Sequence, residues 1–155
     1  MTLDIGIVSD THSLLRPEVL AALQGVSLIL HAGDVGGPGI VAKLETVAPV
    51  RVVRGNIDKG AWGGALPEEE LVEAAPGCRI LLRHRAYGND ADLAVHAPQI
   101  VVTGHTHVPR IERRGTILFI NPGSAGPKRF SRPVCVVRLS IDGDRHEPKL
   151  VELMP

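Results

Sequence analysis

The sequence is nearly devoid of aromatic residues. Trp62, Tyr87, Phe119 and Phe130 are the only ones among 155 residues, so the core must be aliphatic. Cysteine is scarcer still. Cys78 and Cys135 stand alone in apolar strings, with no C-x-x-C pair. Neither a disulfide framework nor a cysteine zinc site is indicated, and both thiols read as small packing groups. Neither sign of charge is in excess: 17 Lys and Arg balance 17 Asp and Glu. A generic nucleic-acid binder carries a basic surplus to neutralise phosphates, so that class is disfavoured. No apolar run approaches the roughly 18 residues that cross a membrane. The first residues lack a basic stretch and reach Asp4 and Asp10 early, unlike a secretory signal. The expected address is the cytoplasm. There is no repeat and no low-complexity tract.

The length fits a single domain spanning residues 1–155. Such a chain can bury about 68–70% of its unfolded surface. It is too short for a (β/α)₈ barrel, which takes about 250 residues. The first half alternates strands and helices: strand Leu3–Ser9, helix Pro17–Gln24, strand Ser27–His31, helix Pro38–Val47 and strand Val50–Arg54. Each helix opens near a proline, which suits the first helical position. This order implies parallel strands with right-handed crossovers. The second half is mostly β. Strands Glu69–Ala74 and Cys78–Leu82 meet at Pro76-Gly77, and a short helix, Ala91–His96, leads to strand Gln99–Thr103. Two hairpins follow, Arg110–Arg113 with Thr116–Asn121, and Val134–Ile141 with Lys149–Leu153 around Asp142-Gly143-Asp144. The expected fold is α/β: two mixed β-sheets packed as a sandwich with helices outside.

Polar residues gather where strands end. The first strand runs into Asp10-Thr11-His12, the second into His31-Ala32-Gly33-Asp34, the third into Gly55-Asn56-Ile57-Asp58. The strand from Cys78 ends near His84, and the strand from Gln99 ends in Gly104-His105-Thr106-His107. In open α/β sheets the carboxyl ends of strands line the binding crevice, so these side chains should converge. Asp10, Asp34, Asn56, His12, His84, His105 and His107 offer seven oxygen and nitrogen donors and no thiolate. That set suits Mn²⁺, Fe²⁺, Co²⁺, Ni²⁺ or Zn²⁺. It exceeds the four donors of one structural zinc and suits two ions sharing a carboxylate. Asp10-x-His12 and His105-x-His107 are pairs at i and i+2, which share one face in extended backbone.

Asp10-x-His12, Gly33-Asp34, Gly55-Asn56, Gly104-His105-x-His107 and Asn121-Pro122-Gly123-Ser124, in this order, resemble the calcineurin-like metallophosphoesterase superfamily. Compact size and the Gly55-Asn56-x-Asp58 motif resemble its small bacterial and archaeal phosphodiesterase branch, a relative of the retromer subunit of vacuolar protein sorting. The resemblance implies a four-layer αββα sandwich and two divalent ions per chain, Mn²⁺ foremost. Asp10, His12 and His107 would hold the first ion. Asn56, His105 and a fourth-motif histidine would hold the second, with Asp34 bridging. It implies hydrolysis of a small phosphorylated substrate, foremost a phosphodiester, by in-line attack of a metal-bridging hydroxide. No membrane partner is implied, and a homo-oligomer is compatible. Catalytic candidates are His105 and His107, beside the leaving group, and Asp58. The other class is a non-catalytic scaffold of the same fold, the retromer subunit's role.

The fourth motif departs from the family's Thr-His-Gly-His. Anchoring on Tyr87-Gly88 puts Arg83 at the ligand position, whereas anchoring on the strand puts His84 there. A cation in place of a ligand would be costly, which favours His84. Asp58 reads equally as an acid or orienting carboxylate and as a turn former. His31 reads as a group orienting the site, Asn121–Ser124 as a supporting turn, Arg85 and Arg129 as phosphate-clamp candidates, and His96 and His146 as solvated.

Overall fold

A computed structural model describes residues 2–85, 90–129 and 131–154. The first half contains β1 (Leu3–Val8), α1 (Pro17–Ala22), β2 (Leu28–His31), α2 (Pro38–Leu44), β3 (Val50–Val52) and α3 (Gly60–Gly64). The second half contains β4 (Glu69–Ala75), β5 (Cys78–Arg83), α4 (Asp90–His96), β6 (Ile100–Val102), β7 (Arg110–Arg114), β8 (Ile117–Asn121), β9 (Val134–Asp142) and β10 (Arg145–Met154). They form two five-stranded mixed sheets, ordered β10-β9-β1-β2-β3 and β4-β5-β6-β8-β7. β1, β2 and β3 are parallel, and so are β5, β6 and β8. The hairpins sit at the sheet margins as antiparallel additions.

Alternation along the strands makes the sandwich. Ile5 and Ile7 of β1, Leu30 of β2, and Val137 and Leu139 of β9 share one buried cluster with Ile80, Leu82, Ile100, Val102, Leu118 and Ile120 of the other sheet. The intervening residues Val8, Ile29 and Val136 face the opposite way and pack with Val19 and Leu23 of the α1 region and Ile40 and Leu44 of α2. The buried members of both clusters are aliphatic apart from Cys78, and Trp62 packs against the second from its partly buried position. Each fully buried aliphatic side chain contributes roughly 1.5–3 kcal/mol. The outer layer of the second sheet is thinner. There α4 ends at His96, whose ring meets Glu69 of β4 at 2.8 Å. No helix among the described residues is long and apolar enough to cross a membrane.

Several boundaries differ from the expectation. α1 and α2 end early and continue as turns. Strand β10 begins at Arg145, where the sequence suggested Lys149, and it carries Pro148 opposite Leu139. β10 is an edge strand, so a proline there forfeits no ladder bond the sheet needs. The short helix α3 was not anticipated, because Gly60-Ala61-Trp62-Gly63-Gly64 has poor helix propensity.

Candidate metal centre

All the expected donors lie just beyond strand ends, but the backbone of five of them is not extended. Asp10, His12, Asp34, His105 and His107 have φ of 57°, 46°, 57°, 73° and 63°. The i, i+2 argument from extended backbone is therefore corrected: each pair turns inward from a tight left-handed loop. Non-glycine residues in this region cost about 1–3 kcal/mol each and persist only where neighbours impose them. Here the loops tie one another down. Asp10 N donates to Gly33 O at 3.0 Å and His12 N to Asp34 O at 2.9 Å. Glycines permit the approach: a Cβ on Gly55 would lie 2.1 Å from Asp34 N, and one on Gly104 would lie 2.0 Å from Ser9 Oγ.

The donors form two groups. Asp10, His12 and His107 bring one donor atom each within 4.8 Å of one another, and so do Asp34, His84 and His105. In the first, His107 Nε2 is 3.3 Å from Asp10 Oδ1 and 3.3 Å from His12 Nε2. In the second, His84 Nε2 is 3.3 Å from Asp34 Oδ2, and the His84 and His105 ring centroids are 5.1 Å apart. Asp34 Oδ2 also lies 3.5 Å from His12 Nε2. One carboxylate oxygen thus stands between the groups, while Asp34 Oδ1 accepts the Ile57 amide at 3.0 Å.

Hydrogen bonds orient the donors inward. Asp10 Oδ2 accepts from Ser9 Oγ at 2.6 Å and from His105 N at 3.0 Å. Its buried Oδ1 has no hydrogen-bond partner. His84 Nδ1 donates to Ala32 O at 2.7 Å, which leaves buried Nε2 facing the cleft without an aligned partner. Such atoms cost about 1–3 kcal/mol when left unpaired. Inward-facing orphans on one carboxylate and one imidazole fit divalent cations, and the His84 bond to a backbone carbonyl is of the kind that orients a ligating imidazole.

The electrostatics follow from crowding. Burial alone would raise Asp34, but the His84 ring and the Ile57 amide outweigh it and hold the carboxyl well below the usual range. Burial alone would lower His84, but Asp34 and the Ala32 carbonyl outweigh it and raise the imidazole. Burial lowers His12, with His107 and Arg129 adding to that effect against Asp34 and Asp10. Burial, His84 and Arg85 lower His105. Arg129 thus stands by the first group and Arg85 by the second.

Asp58, a catalytic candidate that also read as an orienting carboxylate or a turn former, faces backbone amides. Its buried carboxylate accepts Val35 N at 3.0 Å, Gly36 N at 3.1 Å and Gly55 N at 2.9 Å, and it joins neither donor group. Asp34 grips the loop after β3 while Asp58 grips the loop after β2, a reciprocal latch. Asn56 lies exposed at the rim, with Oδ1 accepting from Arg85 Nε at 3.3 Å. His31 is fully buried. Its Nδ1 accepts Gly33 N at 3.1 Å and its Nε2 meets Thr11 Oγ1 at 3.0 Å. Burial pushes it down to about 4, so it is a neutral strut between the first two loops.

Asn121 donates to Gly104 O at 2.9 Å and to Thr106 Oγ1 at 3.1 Å, and Ser124 Oγ donates to Asp10 O at 3.1 Å. Arg83 is buried with Nη2 3.3 Å from Glu69 Oε1, across the sheet from the cleft. The Tyr87-Gly88 anchor lies outside the described residues. His96, expected to be solvated, pairs with Glu69 instead. Ser9 was missed as a support for Asp10, although a hydroxyl immediately before an aspartate at a strand end was visible in the sequence.

Residues 3–144 match the calcineurin-like phosphoesterase superfamily domain. A probable metallophosphoesterase of Methanothermobacter thermautotrophicus is 34% identical over 158 residues, covering 95% of this chain and 91% of that one. The phosphodiesterase YfcE of Escherichia coli K12 is 28% identical over 165 residues, covering 86% and 85%. The fold is similar to wild-type Vps29 of Entamoeba histolytica complexed with Zn²⁺, with a TM-score of 0.67 at 21% identity, covering 97% and 99%. The domain match spans most of the chain and the archaeal relative shares about a third of its aligned residues. On both grounds, the chain belongs to the calcineurin-like phosphoesterase superfamily.

Proposed function

We propose that the chain is a two-metal phosphodiesterase acting on a small phosphorylated substrate. The observation that carries this is the pair of donor groups joined through Asp34 Oδ2, with inward-facing orphan atoms on Asp10 and His84. Asp10, His12 and His107 would hold one ion. Asp34, His84 and His105 would hold the other, with Asn56 at its rim and Asp34 shared. Oxygen and imidazole donors without thiolate suit Mn²⁺ first, and Fe²⁺, Co²⁺, Ni²⁺ or Zn²⁺ after it. Two such ions, when bound, supply a water acidified towards neutrality and positive charge for the phosphate oxygens.

The chain's own residues do the rest. Ser9 and the His105 amide hold Asp10 in one orientation, and the Ala32 carbonyl fixes the His84 proton on Nδ1. Arg129, beside His12, meets the charge of an incoming phosphate. His105 and His107 face the leaving-group side, and burial, His84 and Arg85 lower the basicity of the His105 ring. Asp58 positions the Asp34 loop and carries no proton in the reaction. The similarity to Vps29 leaves a scaffold as the second reading. A scaffold gives no reason for inward-facing orphan donors in both groups. Hydrolysis of bis(4-nitrophenyl) phosphate separates the two. The reading expects activity that is lost on chelation and restored by Mn²⁺. Full activity in excess chelator, or none with Mn²⁺, refutes it.

A further inference from the structure

Beside the second donor group lies a small pocket of about 170 Å³, lined by Arg54, Gly55, Asn56, Glu68, His84 and Arg85. His84 is both a donor of the second group and a wall of this pocket, so the pocket borders that group directly. Pockets for drug-sized ligands run from about 300 to 1,000 Å³. This one takes a group of a few heavy atoms, not a nucleoside. Its walls carry two guanidiniums against one carboxylate. Arg54 Nη2 is 2.6 Å from Glu68 Oε1, but Glu68 is 70% exposed. An exposed pair of this kind is worth about 0–1 kcal/mol, so an incoming anion can displace it. Arg85 donates Nε to the neutral Asn56 amide oxygen and has no carboxylate partner among the described residues. Two planar donor forks at one small opening match the geometry of carboxylate or phosphate.

We propose that this pocket binds a second anionic group on one ester arm of the substrate. The chain then prefers phosphodiesters that carry a further carboxylate or phosphate near the scissile phosphorus. The inference rests on the phosphodiesterase reading and adds the substrate class to it. The test compares two esters with the same leaving group, 2-carboxyethyl 4-nitrophenyl phosphate and its neutral isostere 2-carbamoylethyl 4-nitrophenyl phosphate, on the Mn²⁺-loaded protein. The wild type should favour the carboxylate in kcat/KM by about tenfold, against the Coulomb repulsion an additional negative charge would otherwise bring. Arg54→Gln and Arg85→Gln should each reduce that ratio, and the double variant should abolish it. Equal kcat/KM values in the wild type, or an undiminished ratio in the double variant, overturn the proposal. Calorimetric binding of the corresponding non-hydrolysable phosphonates reads the same preference without turnover. Failure to hydrolyse either ester would refute the proposed function, while the calorimetric ratio would still decide the pocket.

Discussion

Asp58→Asn separates an orienting carboxylate from a catalytic acid. In the wild type both carboxylate oxygens face backbone donors: Oδ1 takes Val35 N and Gly36 N, and Oδ2 takes Gly55 N at 2.9 Å. An asparagine supplies one oxygen. Its amide nitrogen must then face either the Gly55 amide or the Val35 and Gly36 amides, donor against donor. Each buried donor left unsatisfied costs about 1–3 kcal/mol, and hydrogen bonds to a charged group are worth about 1.5–3 kcal/mol each. With one side of the latch retained, the net loss should be about 2–4 kcal/mol. For a chain of this size that lowers Tm by roughly 5–15 °C. Thermal unfolding in chelator measures it directly, and a Mn²⁺ titration should show weakened binding because the Asp34 loop is no longer pinned. If Tm is unchanged while kcat collapses and both ions still bind, Asp58 is a catalytic acid and the latch is wrong.

His84→Ala should empty the second donor group and cut turnover by roughly 10²-fold or more, since even loss of an outer partner of a metal ligand costs 10–100-fold. Two retained ions with normal turnover would restore the Tyr87-Gly88 alignment. Gly55→Ala should abolish binding of both ions, because the added Cβ would lie 2.1 Å from Asp34 N and 2.3 Å from Asp34 Oδ1. Wild-type metal affinity in that variant would show that the two loops can separate freely. His31 sets an acid limit on the metal-free protein. Its folded pKa, about 4, lies below the ordinary 6.5, so the unfolded chain binds more protons between those values. The stability from a neutral His31 is fully present above pH 6.5 and is lost as pH falls to about 4, a loss on the order of 3 kcal/mol. His31→Asn keeps an acceptor for Gly33 N and should flatten the fall in Tm across that window. An identical slope in both proteins would refute the assignment.

The sequence made the donors legible because strand ends in a parallel sheet must open on one side, and Asp or His at each end can only meet there. Asn121 was readable as a support for the same reason, its Pro122-Gly123 sequel marking a turn. The loop conformations were not readable. Left-handed backbone at Asp10, His12 and His105 follows from tertiary hydrogen bonds, such as Asp10 N to Gly33 O, and not from local propensity. The direction of Asp58 was equally hidden, since only the position of Val35 and Gly36 decides whether that carboxylate faces solvent, cleft or backbone. The start of β10 at Arg145 was not readable, because the place of Pro148 on an edge, where it is tolerated, is a property of the assembled sheet.

In the proposed centre one carboxylate, Asp34, is shared by the two metal sites. Counting Mn²⁺ bound per chain by equilibrium dialysis, in the wild type and in Asp34→Ala, tests it most directly. The wild type should bind two ions and the variant should lose nearly all of both, with hydrolysis lost in parallel. Two ions retained by Asp34→Ala, or a wild type that binds none, would contradict it.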